Sequence, residues 1–96
     1  MFKLTNAAYA DLKNIAIYTT KTWGAAQCNI YLSMMDATFN EIGCAPKIGT
    51  SIDHVREGYF KYPAGKHLIF YRIISNKEIE IVRILHNSMD VDSHTE

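Results

Sequence analysis

The stretch His54–His86, HVREGYFKYPAGKHLIFYRIISNKEIEIVRILH, decides the fold. It holds three apolar, β-branched and aromatic runs, His54–Tyr62, Lys66–Ile74 and Glu78–His86, parted by the turn residues Pro63-Ala64-Gly65 and Ser75-Asn76-Lys77. Successive strands with turns this short predict a three-stranded antiparallel meander. Neither face of it reads as polar. In the second run His67, Ile69, Tyr71 and Ile73 alternate with Leu68, Phe70, Arg72 and Ile74. In the third, Ile79, Ile81, Arg83 and Leu85 alternate with Glu80, Val82, Ile84 and His86. One helical layer covers one face of a small sheet, so the second needs a cover of its own: a protein partner, or the chain's curvature and tail.

Upstream the periodicity changes. Phe2–Leu4 is a short strand that ends at Thr5 and Asn6, both good N-cap residues. Ala8, Leu12, Ile15, Thr19 and Trp23 then fall on one helical stripe, and Gly24 supplies the break. A second helix is predicted from about Ala25 to Ile42, with Ile30, Met34, Ala37 and Glu41 on one row and Tyr31, Met35, Thr38 and Ile42 on the next. So short a connection makes an antiparallel helical hairpin. Gly43, Pro46, Gly49 and Ser51 mark a loop leading to the strands. The expected fold is therefore α+β: a short N-terminal strand, a helical hairpin and a three-stranded meander, in one domain spanning 1–96 with 87–96 as a C-terminal tail.

Ninety-six residues make one modest core. Ten Lys and Arg balance ten Asp and Glu, which gives no support for a whole-protein nucleic-acid binder, and no direct nucleic-acid binding by the isolated chain is expected. The charge is uneven, however. Lys47, Arg56, Lys61, Lys66, Arg72, Lys77 and Arg83 outnumber Asp53, Glu57, Glu78 and Glu80 in the sheet region, while the last ten residues carry only Asp90, Asp92 and Glu96. No run approaches the roughly 18 apolar residues of a membrane span, and Met1-Phe2-Lys3-Leu4 does not resemble a secretory signal, so a cytoplasmic location is expected. Cys28 and Cys44 read as buried free thiols, too far apart along a helix to pair. With His54, His67, His86 and His94 they show no zinc-ligand spacing, and neither a metal nor a cofactor is expected.

Ala8-x-x-Asp11-Leu12-x-x-Ile15 with Tyr18, then Trp23-Gly24, His67-Leu68-Ile69-Phe70-Tyr71-Arg72, Ile84-Leu85-His86 and Met89-Asp90 together resemble the ParE toxins of the ParE/RelE superfamily. The resemblance runs from Leu4 to about Asp90; its specificity lies in the ordered set, since each piece alone is common. It implies a toxin of a type II toxin–antitoxin system that stabilises the cleaved-DNA complex of DNA gyrase, acts by binding rather than catalysis, and is held inactive by a cognate ParD-like antitoxin. The antitoxin's tail, disordered when free, would give the surplus apolar surface an occupant, with Leu68, Phe70, Tyr71, Ile81 and Ile84 as candidate contacts. The segment after the last strand supplies the gyrase-side candidates Asn87, Ser88, Met89 and Asp90. Trp23 joins them as a possible target contact, although a Trp closing an apolar stripe reads first as core.

The RelE branch, which cleaves messenger RNA on the ribosome, supplies an enzymatic alternative. Arg72 and Arg83 would hold phosphate and His86 would move the proton. Against it, both arginines read as sheet residues paired with carboxylates such as Glu57, Glu78 or Glu80, and no aromatic follows His86 where such nucleases commonly carry a Tyr. His86 and His67 also read as structural sheet histidines. A third possibility is a non-toxic antitoxin-binding or regulatory module, which loss of growth inhibition with antitoxin binding retained would reveal.

Overall fold

The computed structural model describes residues 1–76 and 78–89. Strand β1 (Phe2–Leu4) leads into helices α1 (Asn6–Trp23) and α2 (Ala25–Cys44), followed by β2 (Thr50–Ser51), β3 (Tyr59–Ala64), β4 (His67–Ser75), β5 (Glu78–His86) and a 3-10 turn at Asn87–Met89. The strands form one sheet in the order β1-β5-β4-β3-β2, antiparallel except where β1 runs parallel to β5. The expected meander is its centre. None of the helices is long and apolar enough, among the described residues, to cross a membrane.

Thr5 caps α1: its hydroxyl accepts the Ala8 N–H at 3.0 Å and donates to the Val82 carbonyl at 2.8 Å, which fixes the helix to β5. Gly24 alone joins the helices. Its N–H closes α1 on the Thr20 carbonyl at 2.9 Å, and its carbonyl accepts the Cys28 N–H at 3.1 Å to open α2, at a φ of 94° that suits glycine.

The helices cover one face of the sheet. Ala8, Ile15, Met35, Phe39 and Ile42 bury against Ala64, Ile69, Tyr71, Ile79, Ile81 and Ile84. Of the two rows read on α2, the one through Met35, Thr38 and Ile42 is buried, whereas Ile30, Ala37 and Glu41 of the other are exposed. Cys28 is buried as expected, but Cys44, the last residue of α2, is exposed.

Several boundaries differ from the sequence reading, each for a physical reason. The first run of the meander begins at Tyr59, not His54, because Ile52–Gly58 folds back across the second face of the sheet. There Ile52 buries with Leu68 and Phe70, flanked by Val55, Tyr59 and Leu85. The surplus apolar face thus finds part of its cover within the chain. Pro63 and Ala64, read as turn, continue β3 opposite Leu68 and His67. Pro63 is tolerated because β2 pairs only with Phe60 and Lys61, so β3 is already an edge strand there. The loop before the strands contains β2, too short to announce itself.

Simple alternation fails along β5. Phe70 faces Arg83 but Tyr71 faces Ile81, leaving Val82 as an extra residue. This bulge lets Ile79, Ile81 and Ile84 all point at the helices, although Ile84 has the opposite parity. A second irregularity leaves Ile74 unpaired between Ile73 and Ser75.

Candidate functional site

β1 covers β5 only from Ile79 to Ile81, so the rest of β5 would present an open edge. Thr5 and Asp11 close part of it. The Thr5 N–H donates to the Ile81 carbonyl at 3.0 Å, and Asp11 Oδ2 on α1 accepts the Ile84 N–H at 2.9 Å, as a neighbouring strand would. The same carboxylate takes a two-pronged contact from Arg83, Nε to Oδ2 at 2.7 Å and Nη2 to Oδ1 at 2.9 Å.

Beyond this seam lies a cleft of about 500 Å³ between the end of α1, the start of α2 and the strand ends, lined by Tyr18, Thr19, Trp23, Gln27, Tyr31, Lys66, His67 and His86. α1 overhangs the sheet here, which is why Trp23 is 65% exposed instead of closing the core stripe, and Tyr18 is 66% exposed beside it. On the floor His67 and His86 are cross-strand partners with their rings edge-on at 5.6 Å. The Tyr31 hydroxyl organises the back wall. It accepts the Lys66 N–H at 3.0 Å and lies 2.6 Å from His67 Nδ1 and 3.2 Å from the Ala64 carbonyl.

Burial pushes the Tyr31 phenol up, so its single proton is available to donate. Burial first, and then the neighbouring His86, holds His67 below the ordinary imidazole range, with Asp11 opposing. The single Tyr31 proton points either at the Ala64 carbonyl, which leaves His67 Nδ1–H to donate to the hydroxyl, or at His67 Nδ1, which puts the imidazole proton on Nε2. His86 Nδ1 accepts the Ser88 N–H at 3.2 Å, with the Ser88 hydroxyl at 3.0 Å.

The enzymatic trio does not assemble. Arg72 lies five residues along β4 from His67, a separation of roughly 16 Å, and its Nε pairs with Glu80 Oε1 at 2.7 Å. Glu80 is one of the carboxylates expected for it. Arg83 is held by Asp11, which was not among them. Only His86 of the three reaches the cleft lined by Trp23.

The candidate antitoxin contacts Leu68, Phe70, Tyr71, Ile81 and Ile84 are all buried within the chain, the first two under Ile52 and the others under the helices. A partner would touch the surface around them. Trp23 and the Asn87–Met89 turn come to the same end of the molecule, joined by the contacts of Ser88 to His86; Asp90 lies outside the described residues. Sequence reading left Tyr18 and Tyr31 without a site role. The juxtaposition of His67 and His86 was the available signal, since strand pairing with a short turn brings their positions together.

A family model described as "ParE toxin of type II toxin-antitoxin system, parDE" matches residues 2–91. The chain is similar to Toxin ParE1 of Mycobacterium tuberculosis (strain H37Rv), 38% identical over 91 residues, covering 95% of this chain and 93% of the relative. It is also similar to Toxin ParE1 of Caulobacter vibrioides, 34% identical over 93 residues, covering 97% and 95%. Among solved structures, a chain of "Chromosomal ParDE TA system from P. aeruginosa" shares the fold with a TM-score of 0.74 at 20% identity, over 88% of this chain and 92% of that one.

Proposed function

The chain belongs to the ParE toxin family of type II toxin–antitoxin systems, and from that premise we propose that it inhibits DNA gyrase by binding, stabilises the cleaved-DNA complex and is neutralised by a ParD-like antitoxin. The observation that carries this reading is the family match over residues 2–91. The name of the Pseudomonas structure pairs a ParE with a ParD and supports the same kind of partner here.

Action by binding, without cleavage of RNA, is supported by the geometry of the arginines. Arg72 and Arg83 are each engaged by a carboxylate, Glu80 and Asp11, which already occupies the guanidinium that a phosphate would need. The gyrase-facing surface in this proposal is the end that carries Trp23 and the Asn87–Met89 turn, with Asp90 next in sequence. The antitoxin would cover exposed apolar side chains such as Tyr9, Ile17 and Ile30 on the helical hairpin.

The test pairs a supercoiling and DNA-cleavage assay on purified gyrase with a ribosome-dependent mRNA cleavage assay on the same protein. Inhibited supercoiling with accumulating cleaved DNA and intact mRNA is expected. Cut mRNA with unaffected gyrase would overturn the reading.

A further inference from the structure

The cleft under the end of α1 has a composition that the neutral chain as a whole does not share. None of its eight lining residues is acidic. Its polar groups include several donors: the Lys66 ammonium, the Gln27 amide and the imidazoles of His67 and His86. Asp11 lines the adjoining hollow, and its carboxylate is engaged by Arg83. Above the donors stand two large aromatic faces that solvent reaches, Tyr18 and Trp23. An indole left two-thirds exposed at the mouth of a cleft gains from a flat partner, and clustered N–H donors gain from an oxyanion.

We propose that this cleft binds a nucleoside phosphate unit, with the base stacked on Trp23 and Tyr18 and the phosphate held by Lys66 with His67 and His86. Stacking accepts any base because every base has a π face, so the site is expected to be tolerant of sequence. The net charge of zero, which speaks against a protein-wide nucleic-acid surface, does not bear on a site of this size. Affinity here depends on the charges within about a Debye length, roughly 8–10 Å. The unit comes either as a free nucleotide or as part of a single strand, and both offer the same ring and the same phosphate.

Trp23 is the chain's single tryptophan, so its emission reports the site directly. Titration with AMP and with a ten-residue oligodeoxythymidylate should give saturable quenching. Adenosine and inorganic phosphate, each with half of the recognised chemistry, should bind at least about tenfold more weakly than AMP. Tighter binding of the oligonucleotide than of AMP identifies a strand as the source, and the reverse identifies a free nucleotide.

Lys66 is exposed, so Lys66→Gln should fold normally, checked by an unchanged unfolding midpoint, and lose roughly tenfold in affinity. Trp23→Ala and Tyr18→Ala, followed by anisotropy of a labelled oligonucleotide or nucleotide, should lose a similar factor. The proposal is overturned by an absence of saturable quenching at about millimolar ligand, by adenosine and AMP binding alike, or by Lys66→Gln and Trp23→Ala binding as tightly as the parent. All these readouts use the isolated protein without gyrase, so failure here leaves the gyrase assay to stand or fall separately.

Discussion

Asp11 shows how much one side chain can decide. Its two oxygens accept three hydrogen bonds, two from Arg83 and one from the Ile84 backbone, and so join the helical layer to an otherwise open stretch of strand. The two partners are not equivalent. Arg83→Ala leaves the Asp11 carboxylate its bond from the Ile84 N–H and a partly open side on which water can replace the guanidinium, so it should cost about 1 kcal/mol. Asp11→Ala strands the part-buried Ile84 N–H as well and should cost roughly 1–3 kcal/mol. Urea unfolding of both variants checks the order, and equal losses would refute it. The pairing of Arg72 with Glu80 was legible in advance, because the two sit on adjacent strands with a short turn between. The Asp11 contact was not, since 72 positions separate it from Arg83 and no local pattern links them. His67 carries a second expectation at this scale. Its folded value is depressed by burial and by His86, so its contribution is complete above the unfolded value near pH 6.5 and is lost as pH falls through the lower folded value. The urea midpoint should fall between pH 7.5 and 5.5, and fall less in His67→Gln.

Among elements, the loop from α2 to β3 was the hardest to read and proves the most closely tied. The Tyr71 hydroxyl, at the centre of β4, donates to the Pro46 carbonyl at 2.8 Å and accepts the Gly49 N–H at 2.9 Å. A Cβ at Gly49 would lie 2.5 Å from that hydroxyl and 2.8 Å from the Lys61 carbonyl oxygen. Gly49→Ala should therefore destabilise by about 1–3 kcal/mol, and Tyr71→Phe by a similar amount through the two orphaned groups. The double variant should lose less than the sum, because removing the hydroxyl relieves the closest of the three clashes; strict additivity in a double-mutant cycle would contradict this. The helices and the centre of the sheet were legible because their periods extend over many residues. His54–Gly58 reads as the start of a strand, but a tertiary contact decides otherwise, the burial of Ile52 on Leu68 and Phe70, which no local signal carries. Trp23 misled for the opposite reason. It continues a helical stripe correctly, but the sheet beneath ends first.

For the molecule as a whole, the expectation is that the fold survives without the segment after His86. Truncation after that residue removes the Asn87 N–H bond to the Lys66 carbonyl, at 3.0 Å, together with the Ser88 contacts to His86. One or two partly exposed hydrogen bonds correspond to a drop in Tm of about 5–10 °C in a domain of this size. The truncated chain should remain folded and keep its antitoxin while losing growth inhibition, and full toxicity would remove the tail from the gyrase-facing surface. Composition did not disclose the cleft, because a zero sum over the chain hides the difference between one end and the rest. The strand order was equally out of reach, since β1 joins β5 from the far end of the sequence. A strand that alternates without interruption can slide by two residues along its neighbour and still keep its apolar side inward. β5 cannot do so, because its parity reverses at Val82, and any slide would put Ile84 in water or a charged neighbour in the core. The bulge acts as a key cut into the hairpin, so that misaligned pairings formed early in folding find no lock that fits.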